Sequence, residues 1–167
     1  MILPAALTAK AQDLLGVCIT HGATLAIAES CTGGLVAAAL TSIPGCSRVF
    51  DRGFIVYDNE AKSEMLGVPS ELIAAHGVVS RAVAKAMAEG AIRHSHAVAA
   101  LSVTGIAGPD GGSPSKPVGT VHVAAALDGA ATLHAAHLFE GDRDAVRVQS
   151  ALAAMELMLQ RLCAFRK

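Results

Sequence analysis

The chain has 167 residues, of which 53% are hydrophobic and 16% are charged, with a formal net charge of −1. This length suits one domain, and residues 1–167 are taken as a single unit. A chain this apolar buries enough surface to offset its ordering entropy, which excludes disorder. The near-zero net charge, the single tyrosine and the absence of tryptophan argue against a nucleic-acid partner, because phosphates need cations and bases need aromatic rings.

The apolar runs, the N-terminal residues and the cysteines together predict where in the cell the protein is found. The longest apolar runs, at 35–40 and 121–127, are far shorter than the roughly 20 residues of a bilayer-spanning helix, so no membrane contact is expected. Residues 1–10 lack the pattern of a secretory signal. The four cysteines show no paired spacing, which is typical of reduced thiols. We therefore expect a cytoplasmic protein.

Local patterns predict helices that alternate with strands. Helices are expected after Pro4 (ending at Gly22), at 35–40, at 59–66, after Pro69, at 80–94 and from about residue 142. Strands are expected at 24–28, 48–57, 97–103, 119–127 and 132–139, with Asp128-Gly129 as a hairpin turn between the last two. This order predicts an α/β fold, namely a three-layer α/β/α sandwich with a mixed, mainly parallel sheet of about five strands. Ligands bind such sheets at the carboxyl ends of the strands.

The first candidate segment is the turn from Ser30 to Gly34, between a strand and a helix. Ser30 is expected to expose its hydroxyl there as a nucleophile does, although the G-x-S-x-G pattern is absent. Thr32, Gly33 and Gly34 are expected to offer backbone N–H groups to a phosphate or a developing oxyanion. Simple helix capping by Ser30 or Thr32 is the alternative.

The second candidate segment joins Tyr57, at the end of a strand, to Lys62, in the first turns of the next helix. A partly buried lysine loses hydration, so its pKa falls from about 10.4 and it can act as a general base. A solvated lysine on a helix surface is the alternative interpretation.

The third candidate segment is the glycine-rich stretch that begins at Thr104 and includes Gly105 and Gly108. Glycines allow close approach of backbone to a ligand, and a long segment without secondary structure in a small domain is usually functional. It is not a P-loop, because Gly-Lys-Ser/Thr is absent and prolines follow. A mobile surface loop is the alternative.

The fourth candidate is Arg143, next to a predicted helix cap at Asp142. Its guanidinium can hold a phosphate or carboxylate through two parallel hydrogen bonds, and an ordinary surface arginine is the alternative.

No metal site is expected. His94 and His96 span a predicted helix end, His134 and His137 would point to opposite faces of one strand, and His76 and His122 have no local acidic or cysteine partner.

Four co-linear segments together resemble one family. They are AESCTGG at 28–34, the stretch from IPGCS through VYDNEAK to LGV at 43–68, GVVS at 77–80, and TGIAGPDGG with KPVGTV within 104–121. These motifs, spread over nearly the whole chain, resemble the CinA C-terminal domain, the family of nicotinamide-nucleotide amidohydrolases. Larger CinA proteins carry an additional N-terminal domain, so this chain resembles the stand-alone form.

The resemblance implies an activity. It implies hydrolysis of the carboxamide of nicotinamide mononucleotide to nicotinate mononucleotide and ammonia, with no metal or organic cofactor, in a homo-oligomer (a dimer or larger). Two residues depart from the expected pattern, since Asp58 and Cys46 stand where serine is common. The added charge of Asp58 is expected to raise the pKa of Lys62.

For this reaction we expect Ser30 to attack, Lys62 to act as base and Tyr57 to position the lysine or relay the proton. The glycine-rich loop and Arg143 are expected to hold the ribose phosphate. Cys31 is the alternative nucleophile, since a helix N-terminus can activate a thiolate. A non-catalytic pyridine-nucleotide sensor and a protein-interaction module for competence or DNA damage remain alternative functions.

Overall fold

The computed structural model describes residues 3–164. Its helices are α1 Ala5–His21, α2 Leu35–Thr41, α3 Asn59–Leu66, α4 Ser70–His76, α5 Arg81–Arg93 and α6 Arg143–Ala164, with a short 3-10 helix at Cys46–Arg48. Its strands are β1 Leu25–Glu29, β2 Phe50–Ile55, β3 Ala99–Gly105, β4 Thr120–Leu127 and β5 Ala130–Leu138. The predicted order of helices and strands is confirmed, including the hairpin between the last two strands.

The strands form one sheet in the order β2-β1-β3-β4-β5. Strand β1 pairs in parallel with both β2 and β3, whereas β4 is antiparallel to β3 and to β5. Four of the five strands therefore run in one direction, which confirms the mixed, mainly parallel sheet. The carboxyl ends of β1, β2 and β3 consequently lie at the same edge of the sheet.

Helices cover both faces of this sheet. Alternation along β1 directs Leu25 and Ile27 to one face, which is packed by α1, α2 and α6. Ala26 and Ala28 face the other layer, where α3 and α5 lie. All five residues of β1 are buried, as expected for a strand covered on both sides. This is the predicted three-layer sandwich.

Two helix caps depend only on local sequence, and the one predicted at Asp142 is confirmed. The Ser80 hydroxyl accepts a hydrogen bond from the N–H of Val83 at 3.3 Å, at the start of α5. The Asp142 carboxylate accepts one from the N–H of Ala145 at 2.8 Å, at the start of α6. None of the helices in residues 3–164 is long and apolar enough to cross a membrane.

Candidate active site

A cavity of about 260 Å³ opens at the edge of the sheet where β1, β2 and β3 end. Eight of the residues singled out from the sequence line it, namely Ser30, Cys31, Tyr57, Lys62, Thr104, Gly105, Gly108 and Arg143. They come from four separate segments, which the parallel strands bring to one place. Asn59 and Asp110 also line the cavity and were not singled out from the sequence.

Ser30 directly follows β1 and begins a tight turn. Its N–H donates to the carbonyl of Val103 at 3.0 Å, and its own carbonyl accepts from the N–H of Gly33 at 3.0 Å. These two bonds fix the backbone on either side of the serine. Its hydroxyl lines the cavity and makes no hydrogen bond to any described residue.

Glu29, which was not predicted from the sequence, stabilises this turn through hydrogen bonds. Its fully buried carboxylate accepts from the N–H groups of Gly34 at 3.1 Å, Val36 at 3.1 Å and Ala37 at 2.9 Å. A carboxylate at a helix N-terminus satisfies N–H groups that have no partner within the helix. An acidic residue at the end of an apolar strand, just before a helix, was the available signal.

The bonds to Glu29 and Ser30 correct one expectation about Gly33 and Gly34. Their N–H groups already donate, to the Ser30 carbonyl and the Glu29 carboxylate respectively, so neither offers a free donor to an oxyanion. The N–H groups of Cys31 and Thr32 have no carbonyl or carboxylate acceptor among residues 3–164. The N–H groups of the turn that donate to no carbonyl or carboxylate thus lie one or two positions after the serine.

Thr32 is buried, and its side chain is not among those that line the cavity. Its carbonyl accepts from Nη2 of Arg147 at 2.9 Å, across 115 residues of sequence. Arg147 was missed, although it lies one helical turn after Arg143 and therefore on the same side of α6. This arginine ties the serine turn to the last helix.

Lys62 has no solvent-exposed surface. Its Nζ donates to three carbonyl oxygens, those of Val56 at 2.8 Å, Tyr57 at 3.0 Å and Asp58 at 3.3 Å. Burial lowers the pKa of Lys62, and the negative charge of Asp58 acts in the opposite direction, as expected from the sequence. The lysine is thus buried and easier to deprotonate than an ordinary lysine, but it makes no hydrogen bond to Ser30 in the described structure.

The Tyr57 hydroxyl contacts Arg143. The side chain is 61% exposed, and its hydroxyl accepts from Nη2 of Arg143 at 3.1 Å. Tyr57 contacts Lys62 through its backbone carbonyl, and its hydroxyl makes no hydrogen bond to the lysine. Nη1 of Arg143 donates to the Gly108 carbonyl at 2.6 Å, and the bond to Tyr57 is the main reason that the pKa of Arg143 is raised.

The glycine-rich loop can lie close to β4 and to Val118 because glycines have no side chain that would clash there. A Cβ atom on Gly105 would lie 2.7 Å from Val121 Cγ2, and one on Gly108, where φ is +83°, would lie 2.6 Å from Val118 Cγ1. The Thr104 hydroxyl donates to the Val78 carbonyl at 3.0 Å. Thr104, Gly105 and Gly108 therefore shape the wall of the cavity. The Gly108 carbonyl lies where Arg143 can donate to it.

Cys31 is buried, and its burial raises the pKa of the thiol to about 11. A raised pKa disfavours the thiolate that the alternative with Cys31 as nucleophile requires. No group of three or more His, Cys, Asp or Glu side chains within the described part of the chain is arranged to hold a metal ion.

The chain belongs to the CinA C-terminal domain family, whose profile matches residues 7–162. It is 50% identical over 141 residues to the nicotinamide-nucleotide amidohydrolase PncC of Escherichia coli (strain K12), which covers 84% of this chain and 86% of that protein. It is also 53% identical over 138 residues to a CinA-like protein of Anaeromyxobacter sp. (strain K), covering 83% of this chain and 34% of that protein. The chain thus spans about a third of the length of these larger relatives.

Solved structures agree with the family assignment. The competence/damage inducible protein CihA from Agrobacterium tumefaciens superposes with a TM-score of 0.93 at 43% identity, covering 98% of this chain and 99% of that one. A CinA superfamily protein from Escherichia coli gives a TM-score of 0.89 at 31% identity, with 96% and 94% covered. The family resemblance and the fold expected from the sequence are both confirmed.

Proposed function

We propose that this chain hydrolyses the carboxamide of nicotinamide mononucleotide, giving nicotinate mononucleotide and ammonia. The observation that carries the proposal is that Ser30, with an unpaired hydroxyl, and Lys62, a buried amine with a lowered pKa, line one cavity. Membership of the family and 50% identity to a nicotinamide-nucleotide amidohydrolase support the choice of substrate. As a further part of the proposal, the enzyme is a cytoplasmic homo-oligomer.

In the proposed mechanism, Ser30 Oγ attacks the amide carbon and Lys62, in its neutral form, takes the hydroxyl proton. The C–N bond then breaks, and the amide nitrogen leaves as ammonia after receiving that proton. Water hydrolyses the resulting ester and releases the carboxylic acid and Ser30. A neutral amine keeps two N–H donors, so deprotonation of Lys62 opens one of its three carbonyl contacts and exposes a lone pair.

The oxyanion would be held by the N–H groups of Cys31 and Thr32. In other serine hydrolases with a strand-to-helix turn, the N–H of the residue after the nucleophile has this role. Glu29 and Arg147 keep the turn in place by occupying the N–H groups of Gly34 and the carbonyl of Thr32. The preorganised donors would stabilise the charge that develops in the transition state.

The phosphate of the nucleotide would bind at Arg143, on the exposed rim of the cavity. The Tyr57 hydroxyl and the Gly108 carbonyl hold the guanidinium in place. Serine and lysine supply the nucleophile and the proton acceptor, so no step calls for a metal or organic cofactor.

The test is ammonia release and acid formation from nicotinamide mononucleotide by the purified protein. Ser30→Ala is expected to lower kcat by at least about 1,000-fold with an unchanged circular dichroism spectrum. Ser42→Ala, an exposed serine at the end of α2, is the matched control and is expected to keep full activity. Near-normal turnover by Ser30→Ala would contradict the serine mechanism, and loss of turnover in Cys31→Ala alone would transfer the role to the thiol.

One observation favours a second function, that of a non-catalytic nucleotide sensor. All three donors of Lys62 are bound to carbonyls, and none reaches Ser30 in the described structure. A sensor would show a rise in Tm with nicotinamide mononucleotide but release no ammonia. The same assay therefore separates the two functions.

A further inference from the structure

A second cavity has a volume of about 420 Å³ and shares the lining residue Val79 with the catalytic cavity. Five basic residues line it, namely His76, Arg81, Lys85, Lys116 and His122. No carboxylate is among its described lining residues. Because the whole chain has a net charge of −1, this concentration of positive charge is a local feature of the fold rather than a result of composition.

The cations of this cavity have no ion-pair partner among the described residues. Arg81 and Lys85 lie one turn apart on α5, where two like charges repel each other. No described acidic side chain forms an ion pair with Arg81, Lys85 or Lys116. Glu89, the next acid along α5, instead accepts from the Thr132 hydroxyl at 2.6 Å, and the Lys116 ammonium donates to the His76 carbonyl at 3.0 Å.

A pair of histidines lies against the same cavity. Nδ1 of His122 is 2.9 Å from Nε2 of His134, and the rings stack with centroids 5.1 Å apart. Burial lowers the pKa of both rings; the charge of Lys116 adds to the effect at His122, and those of Arg81 and Lys85 add to it at His134. His137 is the third ring of this group and also disfavours their protonation. The positive potential of the cavity thus reaches both rings of the pair.

We propose that this basic cavity binds a compound with two or more linked phosphate groups, at a site separate from the catalytic cavity. Three permanent positive charges exceed what one carboxylate can neutralise, whereas a diphosphate carries enough charge and enough acceptor oxygens. An anion bound there also removes the repulsion between Arg81 and Lys85. The proposal does not depend on the amidase activity.

The test uses inorganic pyrophosphate and the intact protein. The signals of His122 and His134, followed by NMR with histidine labelled in the ring, are expected to shift saturably, and the pKa of each ring is expected to rise as the anion offsets the cations. Tyr57 is the only tyrosine in a chain without tryptophan, so its fluorescence reports on the catalytic cavity alone and is expected to stay unchanged. Inorganic phosphate is expected to bind at least tenfold more weakly.

Variants locate the site. Arg81→Gln and Lys85→Gln, which keep most of the side-chain volume, are each expected to weaken pyrophosphate binding at least tenfold. Arg93→Gln, at the other end of α5, is the matched control and is expected to bind as the parent does. The proposal is overturned by shifts that do not saturate, by binding that ignores both variants, by phosphate binding as tightly as pyrophosphate, or by a change in Tyr57 fluorescence with the same midpoint.

Discussion

The Nζ atom of Lys62 lies 2.8 Å from the carbonyl oxygen of Val56, at a position closed to solvent. The contact links α3 to the segment that follows β2, and the neighbouring carbonyls of Tyr57 and Asp58 share the same ammonium. The lysine therefore stabilises the backbone on one side of the cavity through these hydrogen bonds. At the same time, burial lowers its pKa. Structure and proposed chemistry depend on the same side chain.

Replacing this lysine should alter how stability depends on pH. Between the lowered pKa of folded Lys62 and about 10.4, the unfolded chain binds more protons than the folded one, so the free energy of unfolding rises with pH. Lys62→Met removes this rise, and it leaves the buried Val56 carbonyl without its donor, which costs about 1–3 kcal/mol. Urea unfolding from pH 7 to 10 measures both effects.

The matched control is Lys10→Met, at a half-buried lysine paired with Glu156. For each variant, the free energy of unfolding is compared with that of the parent at each pH. If this difference changes with pH by the same amount in both variants, the lowered pKa of Lys62 is disproved. In the activity assay, Lys62→Met is expected to lower kcat by orders of magnitude.

Glu29→Gln should destabilise the serine turn. An amide in place of the carboxylate turns one acceptor oxygen into a donor that faces the N–H groups of α2, at a cost of about 1–3 kcal/mol. We expect a lower free energy of unfolding and a lower kcat, because the same turn holds Ser30. Glu64→Gln, at an exposed position of α3, should change neither quantity by more than about 0.5 kcal/mol or its equivalent in rate. Full activity in Glu29→Gln would show that the turn keeps its shape without the carboxylate.

Tyr57→Phe separates two roles of the hydroxyl. Since the hydroxyl holds Arg143 and does not touch Lys62, its removal should raise KM several-fold and leave kcat nearly unchanged. Arg143→Gln should raise KM further, because the contact with Gly108 is also altered. Steady-state kinetics with nicotinamide mononucleotide measures both. A large fall in kcat with constant KM in Tyr57→Phe would instead support proton relay by the hydroxyl.

Acidification should destabilise the fold through His134. Its pKa in the folded protein is about 4, mainly because of burial, whereas an unfolded histidine titrates near 6.5. The unfolded chain binds more protons between these values, so the free energy of unfolding falls as pH drops from about 6.5 to 4. His134→Gln is expected to flatten this dependence in urea titrations. His94→Gln, an exposed histidine at the end of α5, is the control and should retain the slope of the parent.

The sequence predicted the helices and strands because their signals are local. Ser80 and Asp142 cap helices through bonds to residues only three positions away, and Asp128-Gly129 turns directly between β4 and β5. The alternation of helices with strands predicted the mixed sheet and the edge at which loops meet. For the same reason Ser30 and Lys62 were identified as candidates, since each follows the end of a strand.

Which atoms of those residues come into contact depends on the packing of distant segments. The contact of Tyr57 with Arg143 spans 86 residues and that of Arg147 with Thr32 spans 115, and neither leaves a pattern in the sequence. The burial of Lys62 also depends on distant elements packed around it. Sequence patterns were therefore enough to predict the fold class, the family and most of the residues around the cavity. Their hydrogen-bond partners and the pKa of Lys62 depend on how separate strands are brought together, because distance and desolvation are properties of the folded chain.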